Sequence, residues 1–226
     1  MKKFALITAG GSGSRMGTEL PKQFLLLHGK PVLWHTIRAF REAYADIHFI
    51  LVIPAAHAEA GKAILEELNL TAQSVLAEGG ATRFHSVQNG LQKVEPGSIV
   101  FVHDGVRCLV SSDLIKRCGE QAATRGSAVP AVASADSIRI TDEQGGHQSI
   151  DRNRVRIIQT PQTFQSNIIL PAFQQAYRGE FTDEATVVEA AGTPVFLIEG
   201  DYRNLKITRP ADLLVAETIL QERAAQ

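Results

Sequence analysis

Short runs of large apolar residues alternate with helix-length segments along most of this chain. The runs are rich in branched residues and lack polar alternation, which is typical of strands buried on both faces of a sheet. We expect strands at residues 4–9, 49–53, 99–102 and 194–198, and a weaker one at 127–132. We expect helices at residues 31–44, 58–68, 83–94, 111–124 and 183–191, and a last helix that begins at Pro210. The alternation predicts an α/β fold, a three-layer sandwich with a mainly parallel, Rossmann-like sheet whose ligands bind beyond the carboxyl ends of the strands.

Residues 136–154 interrupt this rhythm, because polar and apolar side chains alternate there on both sides of Gly145-Gly146. Such a pattern around a glycine turn predicts a protruding β-hairpin arm. The segment holds too few large apolar residues for a core of its own, so we expect it to lie on the body or to pack against another chain. We expect residues 1–226 to form a single domain from which this arm projects.

Composition excludes several classes of protein. Lysine and arginine total 23 against 24 aspartates and glutamates, so no excess positive charge is available to gather nucleic acid. Cys108 and Cys118 have no histidine at metal-ligand spacing, so neither a disulfide framework nor a zinc site is expected. The first apolar run ends in glycines after six residues, too short for a signal peptide or a membrane span. We therefore expect a cytoplasmic protein without nucleic-acid or membrane partners.

A glycine-rich loop follows the first predicted strand. Residues 9–17 read Ala-Gly-Gly-Ser-Gly-Ser-Arg-Met-Gly, and Pro21-Lys22-Gln23 follow soon after. Glycines let the backbone turn tightly with several N–H groups toward one anion, and Arg15 and Lys22 add positive charge. The loop lacks the Gly-Lys-Ser/Thr end of a P-loop and the later acidic residue of a dinucleotide-binding fingerprint. By itself it is as consistent with a plain strand-to-helix turn as with a phosphate site.

Later segments make the pattern more specific. They are Gly79-Gly80-Ala-Thr-Arg83-Phe-His-Ser86-Val87, His103-Asp104-Gly-Val-Arg107, Gln159-Thr160-Pro161-Gln162-Thr-Phe164, Thr182-Asp183-Glu184-Ala185 and Asn204-Leu-Lys206-Ile-Thr208-Arg-Pro210. Together with the glycine loop, they resemble the 2-C-methyl-D-erythritol 4-phosphate cytidylyltransferases, a family of polyol-phosphate nucleotidyltransferases. The motifs occur in the family's order from residue 6 to residue 213, which is nearly the whole chain.

The resemblance implies a nucleotidyltransferase-type fold and the transfer of a cytidylyl group from CTP to methylerythritol phosphate in the non-mevalonate isoprenoid pathway. It implies that Arg15 and Lys22 stabilise the transition state, and that Arg152 and Lys206 act on the incoming phosphate. The expected nucleotide-binding residues are Ala9, Gly10, Gly11, Gly13, Gly80, Ala81 and Ser86, of which the last three select the base. The expected substrate-binding residues are Asp104, Arg107, Ser137 and Thr160. Asp104 is also the expected ligand of Mg²⁺, which proteins usually hold with substrate phosphates and one or two carboxylates.

Two positions depart from the family's pattern. Many relatives carry a polar or acidic residue where Ala81 stands, so a side-chain contact with the base would be lost there, whereas a backbone contact would remain. Cys108 stands where the family has a proline, and we interpret it as a small residue of the substrate cleft without thiol chemistry. We expect His103 to be a strand-end residue rather than a metal ligand, because no second histidine has a matching spacing.

Two other functions stay open. A ribitol 5-phosphate cytidylyltransferase would share these motifs, and a catalytically inactive nucleotide-binding module would share the fold. Ser137, Arg152 and Thr160 favour methylerythritol phosphate, because residues at these positions grip it in the family, and the retained cations argue against an inactive module. Because Ser137 and Arg152 lie near the base of the arm, we predict a homodimer in which each arm completes the partner's site.

Overall fold

The computed structural model of the chain describes residues 1–11 and 20–224. Its strands are β1 (Lys3–Thr8), β2 (Leu26–Leu27), β3 (Lys30–Pro31), β4 (His48–Ile53), β5 (Ser74–Glu78), β6 (Ile99–Asp104), β7 (Ser127–Ala133), β8 (Ile138–Thr141), β9 (His147–Ile150), β10 (Arg156–Ile158), β11 (Gln162–Gln165) and β12 (Leu197–Glu199). Its helices are α1 (Val32–Ala43), α2 (Ala58–Glu67), α3 (Arg83–Leu91), α4 (Ser112–Arg125), α5 (Ser166–Ala172), α6 (Glu184–Ala190) and α7 (Pro210–Ala224).

Eight of these strands form the central sheet, in the order β10-β7-β11-β6-β1-β4-β5, with β12 paired to β7. The pairs β1–β4, β1–β6, β4–β5 and β7–β12 are parallel, whereas β10 and β11 run antiparallel to their neighbours. Leu6 of β1 lies opposite Ile50 of β4 and Val102 of β6. With this parallel register, the carboxyl ends of the three strands lie at the same edge of the sheet. The predicted mainly parallel sheet is confirmed.

Helices cover both faces of this sheet. One buried cluster joins α1, α2 and α4 to strand residues such as Ile7 and Phe49. Another joins α3, α5 and α6 to Leu6 and Ile50. Successive side chains of β1 thus enter opposite clusters, as the two-residue period of a strand requires. The arrangement confirms the three-layer sandwich, and α7 closes a smaller cluster around Val106 and Ile207.

The predicted arm is present as an antiparallel hairpin, in which Ile138 of β8 pairs with Ile150 of β9. The side chain of Asp142 accepts hydrogen bonds from the N–H groups of Gln144 and Gly146, which closes the turn. Almost all of the arm is exposed, and Ile140 keeps half of its surface open to solvent. Among the described residues, no helix is both long enough and apolar enough to traverse a lipid bilayer.

Some expected boundaries were wrong. The strand expected at 194–198 begins only at Leu197, and the helix expected at 83–94 ends at Leu91. Three strands of the central sheet and one helix were not expected from the sequence: β5, β10, β11 and α5. The short antiparallel pair β2–β3 was not expected either. The reason is visible in β11, whose letters Gln-Thr-Phe-Gln are mostly polar although Gln162 and Thr163 are buried in the sheet. Tertiary contacts, rather than an apolar run, make that segment a strand.

Candidate active site

A cleft of about 480 Å³ opens where β1, β4, β5 and β6 end. The residues that follow these strands supply most of its walls, which is where open α/β sheets bind their ligands. Nine of the sequence-predicted site residues line it: Ala9, Gly10, Gly11, Lys22, Gly80, Ala81, Ser86, Asp104 and Lys206. Gly13 and Arg15 lie outside the described residues.

The entrance of the glycine loop is fixed by two hydrogen bonds. The Ala9 N–H donates to the carbonyl of Val52 at 2.8 Å, and the Gln23 side-chain amide donates to the carbonyl of Ala9 at 2.7 Å. Lys22 lies in a short 3₁₀ turn at residues 22–24 beside this loop, and it is largely buried. A Cβ at Gly11 would lie only 3.9 Å from Cε of Lys22. The loop and the lysine therefore face the same part of the cleft.

A second loop, between β5 and α3, is held by Ser86. The hydroxyl oxygen of Ser86 accepts from the Gly80 N–H at 3.0 Å, and the hydroxyl donates to the carbonyl of Thr82 at 3.0 Å. Thr82 also caps α3 by accepting from the His85 N–H. Because the Ser86 proton is already donated, this hydroxyl can only accept a further hydrogen bond. Such an acceptor suits an amine on a ligand, and Ala81 offers only backbone groups and a methyl group.

Asp104 ends β6 among three cations. Its Oδ2 lies 2.9 Å from Nζ of Lys206 and 3.5 Å from Nε of Arg107, and its Oδ1 lies 3.4 Å from Nε of Arg83. Burial alone would raise the pKa of Asp104, but Arg83, Lys206 and Arg107 together lower it well below its usual range. The carboxylate is therefore charged, and the cleft contains a cluster of alternating charges.

Arg107 and Thr160 lie behind the cleft and do not line it. The Arg107 side chain donates to the carbonyl of Asn204 at 2.9 Å, and the Asn204 amide donates to the carbonyl of Thr160 at 2.8 Å. These bonds tie the segment that carries Lys206 to the loop after β6. In this arrangement both residues support the wall from which Asp104 and Lys206 project.

His103 and Thr160 form a buried hydrogen-bonded network. The Asp104 N–H donates to Oγ1 of Thr160 at 3.2 Å, Thr160 donates to Nδ1 of His103 at 2.9 Å, and Nε2 of His103 donates to the carbonyl of Arg107 at 3.1 Å. Every proton in this chain has one acceptor if His103 is neutral. Burial lowers the pKa of His103 to about 3, which agrees with the neutral form.

Ser137 and Arg152 do not line the cleft of their own chain. Both are exposed at the stem of the arm, where Arg152 donates to the carbonyl of Ala135 at 2.9 Å. Cys108 also lies elsewhere than expected: it is buried against α7 rather than in the cleft, and burial raises the pKa of its thiol to about 12. Cys108 was expected in the cleft because it follows Arg107, which was predicted to bind substrate, but the chain turns there and buries the small side chain.

Two acidic residues of this region were not predicted as site residues. Glu78 lines the cleft at the end of β5, and Glu184 pairs with Arg83 just behind it. A glutamate directly after the helix-capping Asp183 is a signal that could have indicated Glu184, because a carboxylate buried beside an apolar segment needs a cation. In the described part of the chain, no group of three or more His, Cys, Asp or Glu side chains could hold a metal.

Comparison with known proteins agrees with the geometry. Residues 4–222 match the model of the IspD family, described as 2-C-methyl-D-erythritol 4-phosphate cytidylyltransferase. The chain is 43% identical over 220 residues to the protein of that name from Bacteroides fragilis, covering 97% of this chain and 100% of the relative. It is similar to the solved structures of 4-diphosphocytidyl-2C-methyl-D-erythritol synthase from Anaerococcus prevotii (TM-score 0.83, 28% identity, 97% and 96% of the two chains) and of 2-C-methyl-D-erythritol 4-phosphate cytidylyltransferase from Thermus thermophilus (TM-score 0.76, 30% identity, 98% and 100%).

Proposed function

The chain belongs to the 2-C-methyl-D-erythritol 4-phosphate cytidylyltransferase family, and we propose that the cleft at the ends of β1, β5 and β6 carries out the family's reaction. The protein is a CTP-dependent cytidylyltransferase of the non-mevalonate pathway. A phosphate oxygen of methylerythritol phosphate bonds to the α-phosphorus of CTP, the bond from that phosphorus to the bridging oxygen breaks, and pyrophosphate leaves with the electron pair. The observation that carries the proposal is that Lys22, Asp104 and Lys206 meet beside the glycine loop.

Charge stabilisation is the chemistry that this cleft can supply. The nucleophile is already an anion, so no strong base is needed, and negative charge spreads over the phosphoryl oxygens in the transition state. We assign Lys22 to the triphosphate, together with Arg15, which lies outside the described residues. Lys206 is assigned to the phosphate of the acceptor, and Asp104 to its hydroxyl groups or to a metal.

Base selection is assigned to the loop from Gly80 to Ser86. Cytosine differs from uracil in its exocyclic amine, which is a donor where uracil has an acceptor. The spare lone pair of Ser86 and the carbonyls of Gly80 and Ala81 can accept from that amine but offer nothing to an acceptor. Because backbone carbonyls serve here, the absence of a polar side chain at position 81 does not abolish selection.

A divalent cation fits the donor set of the cleft only with help from the substrate. Asp104 offers carboxylate oxygens, but it also faces three cations, so it can give a hard metal ion one ligand at most. Mg²⁺ commonly takes one or two carboxylates and completes its shell with phosphates and water. When bound, Mg²⁺ would neutralise charge on the triphosphate, and Asp104 would hold the ion.

The cytoplasmic location inferred from the cysteines stays a prediction.

We also propose that the arm at residues 136–154 joins two chains of a homodimer. The apolar side chains of an exposed hairpin lose solvent contact if they pack across a two-fold axis. Ser137 and Arg152 lie outside their own cleft, at the stem of this arm, and a partner could bring them to the acceptor phosphate. Residues 1–226 would then form one domain per chain, with shared active sites.

Product analysis with purified protein tests the proposed function. With CTP and Mg²⁺, methylerythritol phosphate should release pyrophosphate and form the cytidylylated polyol, and ribitol 5-phosphate should do so far more slowly. Activity should stop with a chelator and return when Mg²⁺ is added. Faster turnover of ribitol 5-phosphate would transfer the assignment to that substrate, and CTP binding without pyrophosphate release would identify an inactive module.

A further inference from the structure

Glu184 is a fully buried carboxylate next to the cleft. It is the first residue of α6, and only 1% of its surface is exposed. Both of its oxygens pair with Arg83: Oε2 lies 3.0 Å from Nη2 of Arg83, and Oε1 pairs with Nη1. Burying a carboxylate costs several kcal/mol unless a cation and good hydrogen bonds compensate it.

Arg83 carries this contact into the cleft. It is the first residue of α3 and lines the cleft, and its Nε faces Oδ1 of Asp104 at 3.4 Å. Its terminal nitrogens are engaged by Glu184, so the planar guanidinium is held in one orientation between two carboxylates. Asp104 in turn binds Lys206 at 2.9 Å. The result is a row of alternating charges, Glu184–Arg83–Asp104–Lys206.

The two carboxylates of this row are tied to neighbouring strands: Asp104 ends β6, and Glu184 begins the helix that β11 holds. The Gln162 side chain of β11 donates to Asp183 at 2.8 Å and accepts from the Ala185 N–H at 2.8 Å, which clamps the first turn of α6 around Glu184. Gln162 pairs with Val102 of β6, the strand that ends in Asp104. The two carboxylates of the row are therefore held by neighbouring strands of the central sheet.

We propose that Glu184 is a positioning residue for cytidylyl transfer, which acts through Arg83 to fix Asp104 and, through Asp104, the ammonium group of Lys206. Glu184 does not line the cleft, so it has no contact with substrate of its own. Arg83 then acts as a support, because three of its five N–H groups point at the carboxylates of Glu184 and Asp104. The identity of the acceptor at Lys206 rests on the proposed function.

The test is the variant Glu184→Gln, which keeps the shape of the side chain and removes its charge. We expect kcat/KM for the polyol phosphate to fall by about tenfold or more, the range typical of partners that orient a site from behind. The KM for CTP should change by less than about twofold, because the groups assigned to CTP (Lys22, the Ser86 hydroxyl and the carbonyls of Gly80 and Ala81) are not part of the row. The matched control is Glu42→Gln, which removes the acid of the exposed Arg38–Glu42 pair and should behave like wild type.

A merely structural role predicts something else. Loss of fold support would lower the melting temperature and would weaken the binding of CTP and of the polyol phosphate to the same extent. That result would overturn the proposal, and so would unchanged kinetics. If Glu184→Gln does not fold, the double variant Arg83→Met/Glu184→Leu removes both buried charges and should regain stability. It should still show the loss of kcat/KM for the polyol phosphate, and normal kinetics in this variant would contradict the proposal.

The proposed function can fail without disturbing this comparison. If wild type prefers ribitol 5-phosphate, the ratio of variant to wild type is measured with that acceptor. If wild type turns over neither acceptor, calorimetric binding of methylerythritol phosphate replaces turnover, with the same expected tenfold weakening. Equal binding by wild type and Glu184→Gln would then overturn the positioning role.

Discussion

Lys22 lies in the wall of the cleft with its aliphatic stem beside Gly11. Lys22 as a residue is largely buried, so its side chain is in place before a triphosphate arrives and little reorganisation is needed when charge develops. Lys206 pairs with Asp104 at 2.9 Å and lies on the segment after β12. The two lysines thus approach the cleft from opposite ends of the chain.

We predict that Lys22→Met keeps the fold and loses turnover. Removing a donor to the developing charge should cost about 2.7–4 kcal/mol of transition-state stabilisation, or roughly 10²–10³ in kcat. Steady-state kinetics with CTP and methylerythritol phosphate measure this, with Lys62→Met on the surface of α2 as the control. Turnover near the wild-type value would remove Lys22 from the mechanism.

His103 makes folding depend on pH. In the unfolded chain a histidine binds a proton below about pH 6.5, whereas the buried His103 stays neutral down to about pH 3. The unfolded state therefore binds more protons between these values, and the free energy of unfolding falls as the pH drops through them. Asp104 adds a loss of the same sign below about pH 4, because its pKa is lowered in the fold.

The variant His103→Gln should lessen this dependence, since glutamine can donate to Arg107 and accept from Thr160 without titrating. Urea unfolding at pH 7 and pH 4.5 should show a smaller difference in unfolding free energy for the variant than for wild type. The control is His147→Gln in the exposed arm, which should keep the wild-type difference. If the difference in unfolding free energy between the two pH values were the same in His103→Gln as in wild type, His103 would have to be charged in the folded protein at pH 4.5.

At the scale of elements, the loop between β5 and α3 illustrates why a glycine is needed. A Cβ at Gly80 would lie 2.5 Å from Cβ and 2.8 Å from the backbone carbon of His85, closer than real atoms approach. The neighbouring Gly79 has ordinary spacing, with Oγ of Ser86 at 3.7 Å. The loop can therefore pack on the first turn of α3 only without a side chain at position 80.

We predict that Gly80→Ala displaces the base-selecting loop. The overlap should cost about 1–3 kcal/mol of stability and should raise the KM for CTP more than the KM for the polyol phosphate, because the hydrogen bond from Gly80 to Ser86 is lost. Gly79→Ala is the control, since its methyl group has room. Calorimetric titration with CTP would contradict this model if Gly80→Ala and Gly79→Ala bound CTP equally well.

The sequence predicts some strands of the central sheet and not others. The core strands β1, β4 and β6 were predicted because their apolar runs are continuous, and the cleft at their carboxyl ends followed from parallel pairing. Segments such as β11 escaped because polar letters are buried there through side-chain hydrogen bonds. Thr160, which was predicted to bind substrate, is another polar side chain buried through hydrogen bonds: it lies behind the cleft and donates to His103. No spacing rule in the sequence indicates this contact.

At the scale of the whole molecule, two predicted site residues lie away from the cleft of their own chain. Arg152 and Ser137 belong to the stem of an exposed arm and not to the cleft that holds Lys22 and Lys206. The hairpin could be predicted from alternation around Gly145-Gly146, but what it packs against could not, because its pattern suits the body of its own chain as well as a second chain. We therefore propose that each active site is shared between two chains.

Mixing two inactive variants distinguishes an active site shared between two chains from a site formed by one chain. Lys22→Met and Arg152→Met should each be inactive alone, because each lesion removes a cation from every site. In a mixed dimer with shared sites, one site carries both lesions and the other carries neither, so turnover should return toward half of the wild-type value per mixed dimer. No recovery after subunit exchange, or full wild-type activity in a protein that sediments as a monomer, would contradict the shared site.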